Sequence, residues 1–361
     1  MKRCKVNWWS GVAIALLTIV VAIALNACNP QDFKTQAAQV SQIVARTPGD
    51  PKTFNFALLN SYPNVFSPFT YESLIGTTGK GELKPGLAES WKISDDDLRV
   101  TFTVRDGLKW SDGHPLTADD VLFSFKDVYF NPQIPTDFTD YFKIGKEGQL
   151  PKLKKLNDRQ VEFTLPEPFA PFLRTLSSAA ILPAHALRST VFEKDANGNP
   201  KFMSTWGADT NPTEIIVNGP YKIASYTPTQ RLIFERNPYY WRKDAQGTQL
   251  PYIDRIVWQI VDSADTALIQ FRSGSLDMVA IGPASFSLLK REEERGNFKI
   301  YSGGPDSGTS FIGFNLNKGK RNGKPLIDPV KSRWFNTVEF RQAVAYALDR
   351  QTMNNNIFRG L

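Results

Sequence analysis

Apolar and polar residues alternate between Leu98 and Arg105. Leu98, Val100, Phe102 and Val104 fall on one side, and Arg99, Thr101, Thr103 and Arg105 on the other. That is the period of a half-buried strand. Asp106-Gly107 ends it in a turn and Ser111-Asp112-Gly113 makes another. Thr117 with Asp120 three residues later reads as a capping box, and Asp119 and Asp120 suit the positive end of a helix dipole. Val121, Leu122, Phe125, Val128 and Tyr129 supply the apolar stripe of the helix that follows.

The same reading carries along the chain. Val161, Phe163 and Leu165 form an alternating strand broken by Pro166 and Pro168. Tyr221–Tyr226 and Arg231–Arg236 read as a hairpin joined through Thr227-Pro228-Thr229-Gln230. Ile256, Trp258 and Ile260, with Val257 and Val261, predict a strand apolar on both faces. Asp265 is placed to cap a helix bearing Leu268, Ile269 and Phe271, with Gly274 to end it. Leu276–Ile281 then predicts a further strand, so this stretch is a βαβ unit and the sheet is parallel or mixed. Residues 311–317 alternate as another strand, and Phe340, Ala343, Val344, Ala347 and Leu348 mark one face of a helix.

The N-terminus has a different pattern. Lys2, Arg3 and Lys5 precede an apolar stretch, Gly11–Leu25, which is 15 residues long. A spanning helix needs about 20 apolar residues, so this stretch suits the apolar core of an export signal. It ends at Leu25-Asn26-Ala27-Cys28, which resembles the bacterial lipobox, whose cysteine is acylated and becomes the new N-terminus. The resemblance implies a signal peptide over 1–27 and a lipid anchor at Cys28. Residues 28–48, rich in glutamine and alanine, are expected to be a tether. Cleavage would remove Cys4 and modify Cys28, leaving no free thiol, as suits an oxidising compartment.

Composition narrows the chemistry. The 361-residue chain is 41% hydrophobic, with 25 phenylalanines and 8 tryptophans, enough for packed cores and too long for one of them. Its net charge of +7 falls to +4 once residues 1–27, with three basic and no acidic side chains, are set aside. A balance that small, spread along the chain, makes no nucleic-acid footprint; Lys152, Lys154 and Lys155 read as a solvated cluster. Two histidines, His114 and His185, have no second His or Cys at metal-ligand spacing. No Gly-x-Ser-x-Gly elbow occurs, and Gly76–Gly81 lacks the spacing of a phosphate loop. An exported, aromatic-rich chain poor in catalytic groups fits a binder, because a concave site needs apolar walls and a few oriented polar groups.

Several blocks then resemble the signature of family 5 extracellular solute-binding proteins, the oligopeptide and dipeptide receptors of ABC importers. They are Leu87-Ala88-Glu89-Ser90-Trp91, Thr101–Gly113, Leu116–Val121, Asn218–Lys222 through Glu235–Trp241, Pro251–Ile256 and Phe340–Arg350. The resemblance implies an α/β, two-lobed periplasmic-binding-protein type II fold with an inserted third domain. On that pattern residues 49–72 begin lobe one, 73–216 form the inserted domain, 217–300 return to lobe one and 301–361 start an incomplete lobe two. It further implies a lipid-anchored, non-enzymatic receptor on the extracytoplasmic face. A peptide or similar solute is its ligand, and ABC permease and ATPase subunits are its partners. Neither cofactor nor metal is implied. By position Asn60, Ser61, Tyr62 and Asn64 resemble the lobe-one stretch beside the ligand, with Tyr141 and Phe311 as candidate walls. The alternatives are a lipid-anchored exported hydrolase, and a co-sensor that presents ligand to a signalling partner.

Overall fold

A computed structural model describes residues 40–58, 69–301, 303 and 311–358. The chain divides into two compact units, Met1–Met278 and Val279–Leu361.

The first unit runs, in chain order, β1 (Gln42–Thr47), β2 (Ile75–Thr77), β3 (Leu83–Pro85), β4 (Ala88–Ile93), β5 (Arg99–Val104) and helix α1 (Ala118–Leu122). After α1 come α2 (Phe138–Tyr141), β6 (Lys152–Asn157), β7 (Gln160–Thr164), α3 (Phe172–Leu176) and α4 (Ala184–Phe192). The unit ends with β8 (Tyr221–Thr227), β9 (Arg231–Arg236), β10 (Arg255–Ile260) and α5 (Ala264–Arg272). Two four-stranded sheets organise it. One has the order β4-β5-β7-β6 and is antiparallel throughout. The other, β1-β10-β9-β8, is mixed, with β1 parallel to β10 and the remaining pairs antiparallel.

The predicted strands at 98–105, 161–165, 221–226, 231–236 and 256–260 are present as β5, β7, β8, β9 and β10. Their inward residues, among them Val100, Phe102, Val161, Phe163, Ile223, Leu232 and Phe234, are buried in one continuous hydrophobic core. Rings interlock edge to face in that core: Phe102 and Phe163 at 5.7 Å, Phe125 and Phe163 at 5.0 Å, Phe125 and Phe142 at 5.4 Å. Offset and perpendicular pairs suit the ring quadrupole and add to the burial itself.

The capping box at α1 is complete. Thr117 Oγ1 accepts from the Asp119 N–H at 3.2 Å, and Asp120 Oδ2 accepts from the Thr117 N–H at 2.8 Å. Asp120 is buried, and its other oxygen accepts from the Ala184 N–H at 2.9 Å, so one carboxylate ties the starts of α1 and α4 together. Past Leu122 the helix widens to π geometry over Phe123–Tyr129, and Phe130 N–H reaches back five residues to the Phe125 carbonyl. Ser124 Oγ donates to the Asp120 carbonyl and accepts from the Leu182 N–H, a back-bonded serine at the junction.

Four expectations are corrected. The tether read over residues 28–48 does not extend to its end, because Gln42–Thr47 is a strand with a register against Arg255–Ile260. Ala45 is buried and Thr47 fully so, with β10 beside them on the ladder. The α5 cap is Ser263, whose Oγ accepts from the Thr266 N–H; Asp265 sits in the first turn. The strand read over 276–281 is reduced to a parallel bridge of Met278 to Ala45, fixed by the Asp277 N–H to the Val44 carbonyl. It still completes the βαβ path. Residues 311–317 are not a strand, since no ladder lies beside them among the described residues.

The second unit holds α6 (Pro283–Gly296), a short ribbon of β11 (Lys320–Arg321) and β12 (Lys324–Pro325), α7 (Pro329–Asn336), α8 (Val338–Ala347) and α9 (Arg350–Ile357). The helix read around 340–348 is α8. Asp328 and Asp349 cap α7 and α9 through backbone N–H groups. Phe314 packs on Phe335 and Phe340 at 5.4 and 5.9 Å. Among the described residues of this unit Leu289 is the single buried hydrophobic, while Phe311, Trp334 and Tyr346 are exposed.

Candidate functional site

In the first unit the chain enters the candidate region through a pinned turn. Phe54 N–H donates to the Trp206 carbonyl at 2.7 Å. Asn55 is fully buried, and its Nδ2 donates to the Phe202 and Thr205 carbonyls while its Oδ1 accepts from the Ala57 N–H. A buried side-chain amide with its donors and acceptor satisfied fixes the backbone around it. The 3-10 turn Phe56–Leu58 is thereby held against residues 202–206.

Beside that turn lies a polar cavity of about 380 Å³. Phe56, Tyr71, Ile75 and Ala180 give it a buried apolar wall. Glu72, Lys84 and Arg242 bring charge to it, and Ser177 and Ser178 bring hydroxyls. The Tyr71 hydroxyl donates to the Ile216 carbonyl, and burial holds its pKa far above the ordinary phenol value.

Glu72 is the hub. Its carboxylate accepts from Tyr240 Oη at 2.6 Å, Trp241 Nε1 at 2.7 Å and Arg242 Nη2 at 3.3 Å. Three consecutive residues thus converge on one acidic group from a distant segment. Burial, and then the carboxylate beside it, push the Tyr240 phenol well above its usual range. The Trp241 ring carries two guanidinium groups over it, Arg105 at 4.2 Å and Arg242 at 4.8 Å, so cation–π attraction adds to the ion pair.

Of the residues singled out from sequence, Cys28, Asn60, Ser61, Tyr62 and Asn64 lie outside the described residues. Tyr141, at the end of α2, is 59% exposed. It meets Phe138 edge-on, Phe138 stacks on Phe56 at 5.6 Å, and Phe56 meets Tyr71 at 5.3 Å. A file of aromatic rings therefore runs from Tyr141 to the cavity wall. Phe311 is 85% exposed and belongs to the second unit. There it lines an apolar hollow with Phe314, Val344, Leu348 and Phe358. His114 and His185, which lack metal-ligand spacing in the sequence, form a stacked pair and do not line this cavity.

Sequence reasoning missed Glu72, Lys84 and Arg242. One signal bore on Arg242 and its acceptor, though not on Lys84: Tyr240-Trp241-Arg242 is a run of three side-chain donors, and a run of that kind at a partly buried position calls for an acceptor elsewhere.

The model of bacterial extracellular solute-binding proteins, family 5 Middle, matches residues 82–361. The chain belongs to this family. A probable ABC transporter-binding protein of Deinococcus radiodurans is 29% identical to it over 320 residues, 86% of this chain and 52% of that protein. The oligopeptide-binding protein AppA from Bacillus subtilis, in complex with a nonapeptide, matches with a TM-score of 0.67 at 25% identity over 88% of this chain and 56% of AppA. The periplasmic binding protein MelB from Agrobacterium fabrum, in complex with stachyose, matches with a TM-score of 0.69 at 25% identity over 88% of this chain and 49% of MelB. The fold is the mixed α/β fold of type II periplasmic binding proteins. This family 5 chain spans about half the length of the relatives it matches. Among its described residues no helix is long and apolar enough to cross a membrane.

Proposed function

We propose that this chain captures peptides outside the cytoplasmic membrane and delivers them to the permease of an ABC importer. The observation that carries the reading is the likeness to nonapeptide-bound AppA over 88% of the chain. A polar cavity with aromatic walls beside the Phe56–Leu58 turn supports it, as does the relation to an ABC transporter-binding protein. Bound solute stabilises a closed arrangement of hinged lobes by its differential affinity for that state. Backbone hydrogen bonds to an extended peptide grip the cargo without selecting its side chains. By their position in the sequence Asn60, Ser61, Tyr62 and Asn64 are the candidate peptide contacts of the first unit, with Tyr141; Phe311 is a separate candidate contact in the second. Acylated Cys28 holds the body at the membrane surface, since each buried CH₂ of a lipid chain contributes about 0.8 kcal/mol.

A second reading rests on the match to stachyose-bound MelB, which favours an oligosaccharide as cargo. Mass spectrometry of the solute that co-purifies with the full-length gene product separates the two. Peptide masses support the first reading, and hexose oligomers overturn it in favour of the second. Palmitate labelling of the wild type, lost in Cys28→Ser, checks the anchor; equal labelling of both removes it.

A further inference from the structure

The cavity beside Glu72 has a charge imbalance that the hub does not absorb. Three charged side chains line it: Lys84, Arg242 and Glu72. Glu72 is already occupied by the Tyr240, Trp241 and Arg242 donors, so its negative charge faces a set of hydrogen bonds rather than the open space. The Lys84 ammonium makes no ion pair or hydrogen bond among the described residues. Arg242 is tied to Glu72 by one contact of 3.3 Å, and its Nε has no acceptor. One net positive charge is left against a wall of Phe56, Tyr71 and Ile75.

The backbone is shaped to place that lysine. Lys84 on β3 stands directly across the ladder from Gly76 on β2. A Cβ added at Gly76 would sit 3.3 Å from Lys84 Cε, closer than the stem tolerates without moving. Glycine at this register position gives the lysine stem room to lie across the neighbouring strand. Ser178, exposed just after α3 and lining the same cavity, offers a hydroxyl with no partner among the described residues. A cavity of about 380 Å³ is at the small end of ligand sites, so it suits one terminal group of a solute better than a whole oligomer.

We propose that this cavity receives a carboxylate group of the captured solute, bound by Lys84 and Arg242 with Ser178 as a further donor. The proposal rests on the solute-capture reading and specifies which chemical end of the cargo enters here. Charge-assisted hydrogen bonds to a carboxylate are the strong class, and a half-buried setting strengthens them further. The carboxylate comes either from a peptide C-terminus or from a non-peptide organic acid.

The test is calorimetric titration of the full chain with three probes: N-acetyl-alanyl-alanine, its C-terminal amide, and succinate. The acid is expected to bind at least tenfold more tightly than the amide. Lys84→Met weakens the acid about tenfold and leaves the amide unchanged, Lys84→Arg restores most of the loss, and Gly76→Val, which displaces the lysine but keeps its charge, weakens it as well. Unchanged thermal midpoints for the two Lys84 variants exclude a folding defect. Succinate binding with the same Lys84 dependence supports the inference and makes an organic acid the source. Equal binding of acid and amide, or an acid preference that survives Lys84→Met, overturns it. No binding of either acid while a peptide co-purifies overturns the carboxylate inference and leaves peptide capture standing. Lys84-dependent acid binding with no peptide in the purified protein does the reverse.

Discussion

His114 and His185 lie face to face, with ring centroids 4.0 Å apart and planes inclined by 15°. They are the only two histidines of the chain, and a turn and a helix N-terminus bring them together. His185 Nε2 is 2.8 Å from Asp112 Oδ2, and the His114 N–H donates to Asp112 Oδ1 at 3.0 Å. One carboxylate therefore braces both members of the stack, and Trp110 packs beside His185 at 6.2 Å.

This brace has a pH signature. Partial burial pushes the Asp112 pKa up, but the His114 N–H and His185 outweigh it and leave the pKa below the ordinary carboxylate value. A depressed folded value means that the stabilisation is present above the unfolded value and is lost as pH falls through the folded one. Asp112 is 36% exposed on its side chain, so solvent screening keeps the effect under about 1 kcal/mol. Urea midpoints at pH 7 and pH 3 should differ less in Asp112→Asn than in the wild type. An equal difference in both proteins assigns the acid sensitivity elsewhere.

Glu72→Ala should cost about 2–4 kcal/mol, because it strands the Tyr240, Trp241 and Arg242 donors in a partly buried site. Glu72→Gln should cost less, since one oxygen still accepts. Chemical denaturation followed by tryptophan fluorescence reads both, and a cost for Glu72→Ala below about 0.5 kcal/mol contradicts the hub.

At the start of α1, Thr117→Ala removes the acceptor of the Asp119 N–H and leaves the Asp120 half of the box in place. The expected loss is about 1 kcal/mol, read as a lower denaturation midpoint at unchanged m-value.

Phe163 contacts Phe102, Phe125 and Phe172 within the fully buried core. Phe163→Ala should cost about 3–5 kcal/mol, while Phe163→Leu should cost clearly less because it leaves a smaller void. Equal losses for the two would show that the site collapses around either.

The strands β5, β7, β8, β9 and β10, the helix start at Thr117 and the apolar face of the helix over 338–347 were readable because alternation, periodicity, caps and turns are local properties. β1 was not, because Gln42 and the glutamines before it resemble a linker and its burial depends on a partner strand 213 positions away. The reading of 311–317 erred in the opposite sense: alternation was present, but a strand also needs a neighbour. The Asp265 cap was read two residues too late: Ser263 is the cap, and Asp265 falls in the first turn, where its charge suits the helix dipole. The cavity was illegible for a further reason. Glu72, Lys84, Ser178 and Arg242 come from four separate segments, and only the fold makes them neighbours.

The parallel pairing of β1 with β10 also sets an order of assembly. Ser41 and Asp254 exchange hydrogen bonds at 2.8 and 3.0 Å across 213 positions, just ahead of the ladder that joins Gln42–Thr47 to Arg255–Ile260. The first strand to emerge during synthesis must wait for the last of its sheet, and closing so long a loop is slow. That delay leaves the β1 edge unpaired until residues 255–260 have been made, so the mixed sheet closes only after most of the chain exists.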